Sequence, residues 1–386
     1  MNYSFLYQKI VNTYSSIPMH LLPGSSLPPL QVFLEVTYKC NLSCDFCQFL
    51  QAPGDGSSLA PGQSSELSTA ELKRIVGEIP RTAIVSFTGG EPFAKAGFMD
   101  LLAFASERNK THIFTNATLI TSHIAESLVA LGATTVLSPG LVLVGISLEG
   151  LQETHNRITR RSWAFAKTIA ALKALSHFKA SQNRRYPLIE LKTVISEENV
   201  GELYQIYLLA KANKADIFNV MTMNMLPQTT RTTRCADVSY MCPPPAVKRL
   251  NLELLRSELT KIYEDAAQSG TQIRTTPQGF DPQEIIDHYD DKRRLARYRC
   301  YYPWYGAGIS AYGDVLICPY KIIGNVRKNS LRKLLNNEKA RKFRRALHED
   351  TLFPGCWGCC MLVPRRGRTR DTHGHGQMIS DTDGHG

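Results

Sequence analysis

The chain has 386 residues, of which 43% are hydrophobic and 20% are charged, and its formal net charge at pH 7 is +11. This composition excludes a collagen-like repeat, a disulfide-stapled miniprotein and a wholly disordered chain. The longest uncharged apolar stretch, Leu141–Leu148, is far shorter than the roughly 20 residues of a membrane-spanning helix. The N-terminal residues lack the apolar run of a signal peptide. We therefore expect a soluble cytoplasmic protein.

Strand-like and helix-like patterns alternate along residues 31–230, after an N-terminal extension, residues 1–30, that ends in a Pro/Gly/Ser-rich segment. The predicted strands are 32–37, 83–88, 111–115, 142–148, 188–195 and 216–224. Helices are predicted from a capping box at Ser68 and Glu71, and near Phe98, Thr121, Trp163 and Val200. Strands separated by helices imply right-handed βαβ units and a parallel sheet. The predicted fold is α/β, a partial (β/α)6 TIM-like barrel.

The last part of the chain has a different character. Residues 231–295 are polar and Pro-containing, and they are predicted to form a helical bridge with a helix near 246–268. Residues 296–364 carry cysteines, and a turn at Gly313 predicts a β-hairpin that places Cys318 on a strand. Residues 365–386, basic and then Gly/His-rich, are predicted to be a disordered tail.

The positive charge is concentrated in this part of the chain. Residues 292–370 contain 19 Lys and Arg against 4 Asp and Glu. Such a basic lobe indicates an anionic partner or substrate. Much of the charge, however, lies in residues 327–348, which have helical spacing, so a solvated helix face explains it as well. Both interpretations stay open.

Ten cysteines are the clearest chemical signal. In a reducing cytosol, closely spaced thiols bind metal or perform redox chemistry more often than they form disulfides. Cys40, Cys44 and Cys47 directly follow the first predicted strand. A 4Fe–4S cluster normally takes four cysteines, so three would leave one iron open. A zinc ion would need a fourth ligand such as His112 or His155, and buried unligated thiols are the other alternative.

The spacing C-x3-C-x-aromatic-C, with Phe46 as the aromatic residue, resembles the signature of the radical SAM enzymes, and the resemblance covers most of residues 32–225. Gly89-Gly90-Glu91-Pro92, after the second strand, matches the GGEP motif of that family. In the family this motif binds the methionine amino group of S-adenosylmethionine (SAM), which chelates the open iron. Glycines permit such a close backbone approach.

Two later segments extend the resemblance. Thr115-Asn116-Ala117-Thr118 is similar to the family's T-N-G-T segment, with Ala117 in place of glycine. Residues 147–157 are similar to its fourth-strand pattern, with Glu149 in place of aspartate. The family implies that Ser147 faces the ribose, Arg157 lies near the cofactor carboxylate and Val194 flanks the adenine. Taken singly, each is explained equally well by a strand-end hydrogen bond, a surface position or core packing. The implied SAM-binding residues are Phe46, Gly89, Gly90, Glu91, Pro92, Thr115, Asn116, Ser147, Glu149, Arg157 and Val194.

The second cysteine group resembles one half of the SPASM auxiliary-cluster domain, whose truncated one-cluster form is called Twitch. The resemblance implies that a second 4Fe–4S cluster is held by Cys300, Cys318, Cys356 and Cys359, with Cys360 as an alternative ligand or a nearby thiol. A four-cysteine zinc ribbon is the alternative. We interpret Cys235 and Cys242 as ordinary thiols, or as one hydrogen donor to a substrate radical.

The family resemblance implies reductive cleavage of SAM to a 5′-deoxyadenosyl radical, which takes hydrogen from an unactivated carbon. A low-potential flavodoxin or ferredoxin would supply the electron, and the auxiliary cluster would help to complete an oxidation or rearrangement. Only 39 residues precede Cys40, few for a leader-binding domain, which favours a small anionic or sugar-like substrate. The alternative is a ribosomal-peptide maturase that cross-links, epimerises or oxidises its substrate.

The basic lobe suggests two further hypotheses. In one, at least one of Arg365, Arg366, Arg368 and Arg370 contacts an anionic substrate, because a guanidinium binds phosphate or carboxylate through two parallel hydrogen bonds. In the other, the chain is a non-catalytic zinc or cluster protein that binds nucleic acid. No RNA-binding motif or helix-turn-helix supports the second hypothesis, so we expect no nucleic-acid partner.

Overall fold

The computed structural model describes residues 3–22, 24–47, 65–224, 250–290, 294–349 and 352–365. Its framework is one ten-stranded sheet, with a separate two-stranded sheet beside it. The strands are β1 Gln31–Glu35, β2 Ile84–Thr88, β3 Lys110–Thr115, β4 Gly140–Ser147, β5 Leu188–Val194, β6 Ile217–Met221, β7 Gln272–Thr276, β8 Tyr298–Arg299, β9 Gly306–Ile309, β10 Asp314–Cys318, β11 Lys321–Asn325 and β12 Val363–Pro364.

Helices follow most of the parallel strands. The α-helices are α1 Tyr3–Leu21, α2 Thr69–Glu78, α3 Phe98–Arg108, α4 Ser122–Ala130, α5 Gln152–Thr159, α6 Ala164–Ser181, α7 Leu203–Ala212, α8 Leu252–Ser269, α9 Pro282–Tyr289, α10 Tyr302–Tyr305, α11 Leu331–Leu335 and α12 Glu338–Glu349. Short 3-10 turns cover Pro92–Ala94, Val200–Glu202, Leu295–Arg297 and Pro354–Cys356. Of the helices that the structure describes, none is long and apolar enough to span a bilayer.

The sheet has the strand order β11-β10-β9-β1-β2-β3-β4-β5-β6-β7. Strands β1 to β7 are parallel neighbours in sequence order, and β9 joins β1 in parallel on the other side. Strands β9, β10 and β11 form the antiparallel hairpins of the cysteine-bearing segment. The α/β class and the partial TIM-like barrel predicted from the sequence are confirmed, since all six predicted strands occur as β1 to β6.

Side chains along each strand point alternately to the hydrophobic core and to the barrel interior, which we call the lumen. On β5, Ile189 and Leu191 are fully buried in the core cluster. Glu190 and Lys192 point to the opposite face, because successive strand residues face opposite sides of the sheet. Polar side chains of several strands therefore meet in the lumen, while the outer face packs under helices.

The predicted helix starts are confirmed where capping chemistry marked them. The Ser68 side chain accepts a hydrogen bond from the Glu71 backbone in a capping box, and the Thr121 side chain caps α4. The basic segment predicted as one helix forms two, α11 and α12. Asn337 separates them, because its Oδ1 accepts the Ala340 N–H at 2.9 Å and caps α12.

Two predicted segments contain more structure than expected. The N-terminal extension carries α1, and the predicted bridge carries β7 and α9 in addition to α8. The helix predicted near 246–268 begins at Leu252, and its predicted first residues lie outside the described residues. A single sheet runs through the barrel and the cysteine-bearing segment, so the sheet itself marks no boundary between them. The domain boundaries proposed from the sequence therefore stay a prediction.

Candidate active site

The first cysteine loop leaves β1 at the carboxyl edge of the sheet, where parallel α/β folds place their active sites. Cys40, Cys44 and Cys47 are half-buried and form no disulfide. A turn closed by the Cys47 N–H and the Cys44 carbonyl, 3.1 Å apart, carries the half-buried Phe46 between them. Burial raises the pKa of Cys44, and the negative charges of Glu149, Cys47 and Cys40 raise it further.

These thiols fit a shared cationic group, because a common cation would offset both the burial and the mutual repulsion of the thiolates. The zinc alternative has less support. The His155 Nδ1 accepts a hydrogen bond from the Glu149 backbone at 3.0 Å, and His112 stacks edge-on against Phe114 on β3. Across the described ranges, no group of three or more His, Cys, Asp or Glu is arranged to hold a single metal ion.

The Gly89-Gly90-Glu91-Pro92 loop is docked against the start of the cysteine loop. The Gly90 N–H donates to the Thr37 carbonyl at 2.8 Å, and the Glu91 N–H donates to the Lys39 carbonyl at 2.9 Å. A Cβ would lie 2.3 Å from Thr37 O at Gly89 and 2.4 Å from Lys39 O at Gly90. Gly89 also has a φ of +131°. Only glycines allow this approach.

The Glu91 carboxylate is fully buried and binds three protein donors. It accepts hydrogen bonds from Thr115 Oγ1 at 2.7 Å, Asn116 N at 2.8 Å and Phe93 N at 3.1 Å, just before the 3-10 turn that begins at Pro92. Burial raises the pKa of Glu91 to about 7, and these hydrogen bonds oppose the rise. Glu91 therefore ties the end of β2 to the end of β3.

An amide–hydroxyl network connects β3 to the cysteine loop. Asn116 Nδ2 lies 3.7 Å from Cys40 Sγ and 3.0 Å from Asn41 Oδ1. The Thr118 N–H and hydroxyl both donate to Asn116 Oδ1, at 2.9 and 2.7 Å. Ala117 between them has a φ of +61°, in the left-handed region. The family pattern has glycine here, and this backbone conformation is the physical reason.

The carboxylate of Glu149 binds the end of β5. Its Oε2 accepts the Val194 N–H at 2.9 Å, and Asn199 Nδ2 donates to the carbonyls of Glu149 and Val194 at 2.9 and 2.8 Å. Burial raises the pKa of Glu149 to about 7, opposed by the Val194 hydrogen bond. The longer side chain that replaces the family's aspartate thus reaches the neighbouring strand. Ser147, half-buried, ends β4 close by.

Arg157, which the family resemblance implies lies near the cofactor carboxylate, forms an ion pair with an acidic side chain. Its Nε is 2.8 Å from Glu198 Oε2, and the Arg157 and Glu198 side chains are 58% and 41% exposed. An ion pair this exposed contributes little stability, so the arginine is available to exchange partners. Its role at the cofactor carboxylate stays a prediction.

The sequence analysis missed the residues that fix the cysteine loop from the other side. Arg160, at the end of α5, forms an ion pair with Asp45. Arg161 Nε donates to the Asn41 carbonyl at 3.2 Å. The two adjacent arginines at the end of α5 are visible in the sequence as a candidate anion-binding or loop-binding pair. Their contact with the cysteine loop, however, depends on the tertiary fold.

The second cysteine group surrounds one cavity. Its cysteine lining consists of Cys300, Cys318, Cys356 and Cys359, and the other lining residues are apolar or aromatic. Burial and neighbouring thiols raise the pKa of Cys318 to about 12 and that of Cys300 well above its usual value. No basic side chain lines the cavity. The donor set therefore fits a cationic group bound through four thiolates.

Cys360 lies outside the lining of this cavity. Its sulfur accepts from Asn224 Nδ2 at 3.9 Å, and it affects the pKa of Lys192 on β5. It therefore lies toward the lumen. Cys360 also hydrogen-bonds the Cys359 thiol and acts on Cys300 and Cys318, so the choice of Cys359 as the fourth ligand stays a prediction. Cys235 and Cys242 lie outside the described residues.

Part of the basic lobe has structural contacts. Arg365 Nε donates to the Tyr298 carbonyl at 2.9 Å, and the Arg365 N–H donates to the Arg297 carbonyl at 2.7 Å. Arg344 is buried, and its Nε donates to the Pro303 carbonyl at 2.7 Å. Arg365 thus supports the β8–β12 pair. The proposed substrate arginines that follow it, Arg366, Arg368 and Arg370, lie outside the described residues.

Comparison with known proteins agrees with this geometry. Residues 34–181 match the model of the radical SAM superfamily, and residues 300–360 match that of an iron-sulfur cluster-binding domain, SPASM. The chain therefore contains a radical SAM domain and, C-terminal to it, a SPASM domain. These two domains imply SAM and two 4Fe–4S clusters as cofactors, which confirms the cofactors predicted from the sequence.

The individual proteins to which this chain is similar differ in the activities that their names describe. Fe-coproporphyrin III synthase of Methanosarcina barkeri is 29% identical over 201 residues, 51% of this chain and 45% of that protein. PqqA peptide cyclase of Rhodopseudomonas palustris is 34% identical over 194 residues, 50% of this chain and 46% of that protein. The chain spans about half the length of these two relatives. Streptococcus suis SuiB bound to its precursor peptide SuiA has a TM-score of 0.60 at 17% identity, covering 88% of this chain and 71% of that chain.

Proposed function

We propose that this chain is a radical SAM maturase that takes hydrogen from an unactivated carbon of a ribosomally made peptide. The observation that carries the proposal is the pair of cysteine sites, three half-buried thiols at the carboxyl edge of the sheet and four thiols around one apolar cavity. When bound, the first cluster with SAM supplies a 5′-deoxyadenosyl radical, and the second cluster supplies one-electron transfer.

The residues of the chain position these groups. The Gly89–Pro92 loop fixes the direction in which the cysteine loop leaves β1, since both loops share two backbone hydrogen bonds. Asn116 contacts the Cys40 sulfur and Arg160 holds Asp45, so the cysteine loop is supported from two sides. Such preorganisation keeps a reactive radical close to one carbon of the substrate.

The peptide substrate is supported by PqqA peptide cyclase, the relative at 34% identity. The sequence-based preference for a small anionic or sugar-like substrate has less support, because it depended on the number of residues before Cys40. Fe-coproporphyrin III synthase keeps a small molecule as the second candidate. A low-potential flavodoxin or ferredoxin as electron donor belongs to the proposal. The match of residues 34–181 to the radical SAM model argues against the non-catalytic nucleic-acid-binding alternative.

The first experiment tests the chemistry without knowledge of the substrate. Anaerobically reconstituted chain, reduced with dithionite, should convert SAM to 5′-deoxyadenosine. Replacement of Cys40, Cys44 and Cys47 together by Ala should abolish this conversion and lower the iron content from about eight to about four per chain. SAM cleavage by the triple variant would refute the assignment, and about four irons with one zinc in the wild type would replace the auxiliary cluster with a zinc site.

The second experiment identifies the substrate class. Extract from cells of the source organism grown with deuterated nutrients is separated into a peptide fraction and a small-molecule fraction. Each fraction is incubated with reduced chain and SAM, and mass spectrometry measures deuterium in the 5′-deoxyadenosine formed. Deuterium transfer from the peptide fraction alone is the expected result. Transfer only from the small-molecule fraction would overturn the peptide proposal.

A further inference from the structure

A half-buried lysine, Lys192, faces the lumen of the barrel. Lys192 follows Glu190 on β5 by two residues and therefore faces the same side of the sheet. Its ammonium nitrogen lies 4.2 Å from the centre of the Phe114 ring on β3. Burial lowers the pKa of Lys192, while Glu190 and Glu149 raise it. A cation over an aromatic face gains some electrostatic stabilisation, but less than it would gain from an anion.

The strand between them is shaped to allow this contact. Gly145 on β4 pairs with Phe114 on one side and with Glu190 on the other. A Cβ at Gly145 would lie 2.7 Å from Phe114 Cδ1 and 3.1 Å from Lys192 Cδ. The lysine stem crosses β4 because Gly145 has no side chain. The direction of the ammonium is thus fixed by three neighbouring strands.

Lys192 has no ion pair and no hydrogen bond from its ammonium within the described ranges, and the two nearest carboxylates are engaged elsewhere. Glu190 Oε2 lies 2.5 Å from Arg274 Nη1, and Glu190 Oε1 accepts from Asn219 Nδ2 at 3.0 Å. Glu149 accepts the Val194 backbone N–H. A charge that is partly removed from water without an anion loses solvation, so proteins normally pair such groups. Lys192 keeps its donor capacity for a ligand.

Electrostatic interactions connect Lys192 with both cysteine groups. Glu149, whose charge acts on Lys192, also acts on Cys44 of the first group. Cys360 of the second group also acts on Lys192. The ammonium therefore lies within electrostatic reach of Cys360 and of a carboxylate that also acts on Cys44.

We propose that Lys192, with the Arg274 guanidinium beyond it on β7, forms a binding site for a carboxylate of the substrate in the barrel lumen. The inference deepens the proposed function and rests on it. A carboxylate would supply the anion that the half-buried ammonium lacks, through charge-assisted hydrogen bonds. It would hold the substrate at a fixed point in the lumen, which selects the carbon that reacts.

The experiment uses the full chain with both clusters and SAM, under anaerobic conditions. Isothermal titration calorimetry compares the α-amide of N-acetyl-L-glutamate, which carries one carboxylate, with its neutral isostere, the α-amide of N-acetyl-L-glutamine. Because a hydrogen bond to a charged group contributes about 1.5–3 kcal/mol, the wild type should bind the acid at least about 10-fold more tightly than the amide. Lys192→Met should abolish this preference, and Lys192→Arg should keep most of it.

Lys110→Met is the matched control, because Lys110 is half-buried at the start of β3, four residues before Phe114. This control should keep the preference for the acid. Equal binding of acid and amide by the wild type would overturn the proposal without reference to any variant, as would an unchanged preference in a folded Lys192→Met chain. SAM cleavage by the wild type is measured separately. Its absence would refute the proposed function, whereas absence of acid selectivity alone would refute only the lumen site.

Discussion

Replacement of Gly90 by alanine should separate the cysteine loop from the GGEP loop. A Cβ at this position would lie 2.4 Å from the Lys39 carbonyl oxygen and 2.7 Å from that of Tyr38. The first distance is about 1 Å shorter than an ordinary van der Waals contact, and overpacking of this kind costs about 1–3 kcal/mol. Loss of the two loop hydrogen bonds adds about 1 kcal/mol each, so the free energy of unfolding should fall by about 3–5 kcal/mol.

The functional consequence should be confined to the first cluster. The displaced residues lead directly into Cys40, whereas the second cysteine group lies on β10 and the segments beside it. Gly90→Ala should therefore hold about four irons instead of about eight and should not cleave SAM. Iron analysis, 5′-deoxyadenosine formation and urea unfolding measure these effects in one preparation.

Gly77→Ala is the matched control for this prediction. Gly77 lies inside α2, and a Cβ there would meet nothing within 4 Å. Its replacement should stabilise the chain by about 0.5–1 kcal/mol, because alanine is the better helix former. If Gly90→Ala kept about eight irons, wild-type stability and SAM cleavage, the close approach of the two loops would not be what positions the cysteines.

Three further predictions concern other parts of the site. Ala117→Gly should leave the free energy of unfolding unchanged or raise it by up to about 1 kcal/mol, since the left-handed backbone strains alanine; a loss above that in urea unfolding would contradict it. Cys359→Ala should remove about four irons while Cys360→Ala keeps them, and the reverse pattern would exchange the two ligands. A hydrogen bond from Arg327 lowers the pKa of Glu71 to about 2, so Arg327→Ala should destabilise the cluster-free chain above pH 4.5. Its difference from wild type should shrink as the pH falls toward 2, leaving the part due to the hydrogen bonds of Arg327 with the Ser65 and Glu66 carbonyls. A pH-independent difference would contradict this linkage.

The elements that the sequence predicted well carry local signals. The strands β1 to β6 are apolar runs rich in branched residues. The start of the helix α2 is marked by the Ser68–Glu71 capping box. The first cysteine group stood out through its spacing, because metal ligands on one loop are close in sequence. The second group was assigned through its resemblance to the SPASM domain. These features need no knowledge of tertiary contacts.

The features that escaped prediction depend on contacts between distant segments. The strand β7, with the sequence QIRTT, is short and polar, and its place is set by pairing with β6. The contact of Lys192 with Phe114 across Gly145 requires the register of three strands, which no local pattern reveals. Likewise, the pairing of Arg160 with Asp45 appears only once α5 has packed beside the cysteine loop.

The parallel pairing of β9 with β1 has a consequence for synthesis of the chain. Strand β1 is made early, yet one of its two edges is covered only by Gly306–Ile309, near the other end of the sequence. Until those residues leave the ribosome, β1 presents unpaired backbone groups that can recruit a strand from another molecule. Fragments that end before residue 306 should therefore aggregate even if their own barrel helices form. If the two cysteine-bearing portions are expressed as separate chains, the second chain would have to be present while the first is being synthesised.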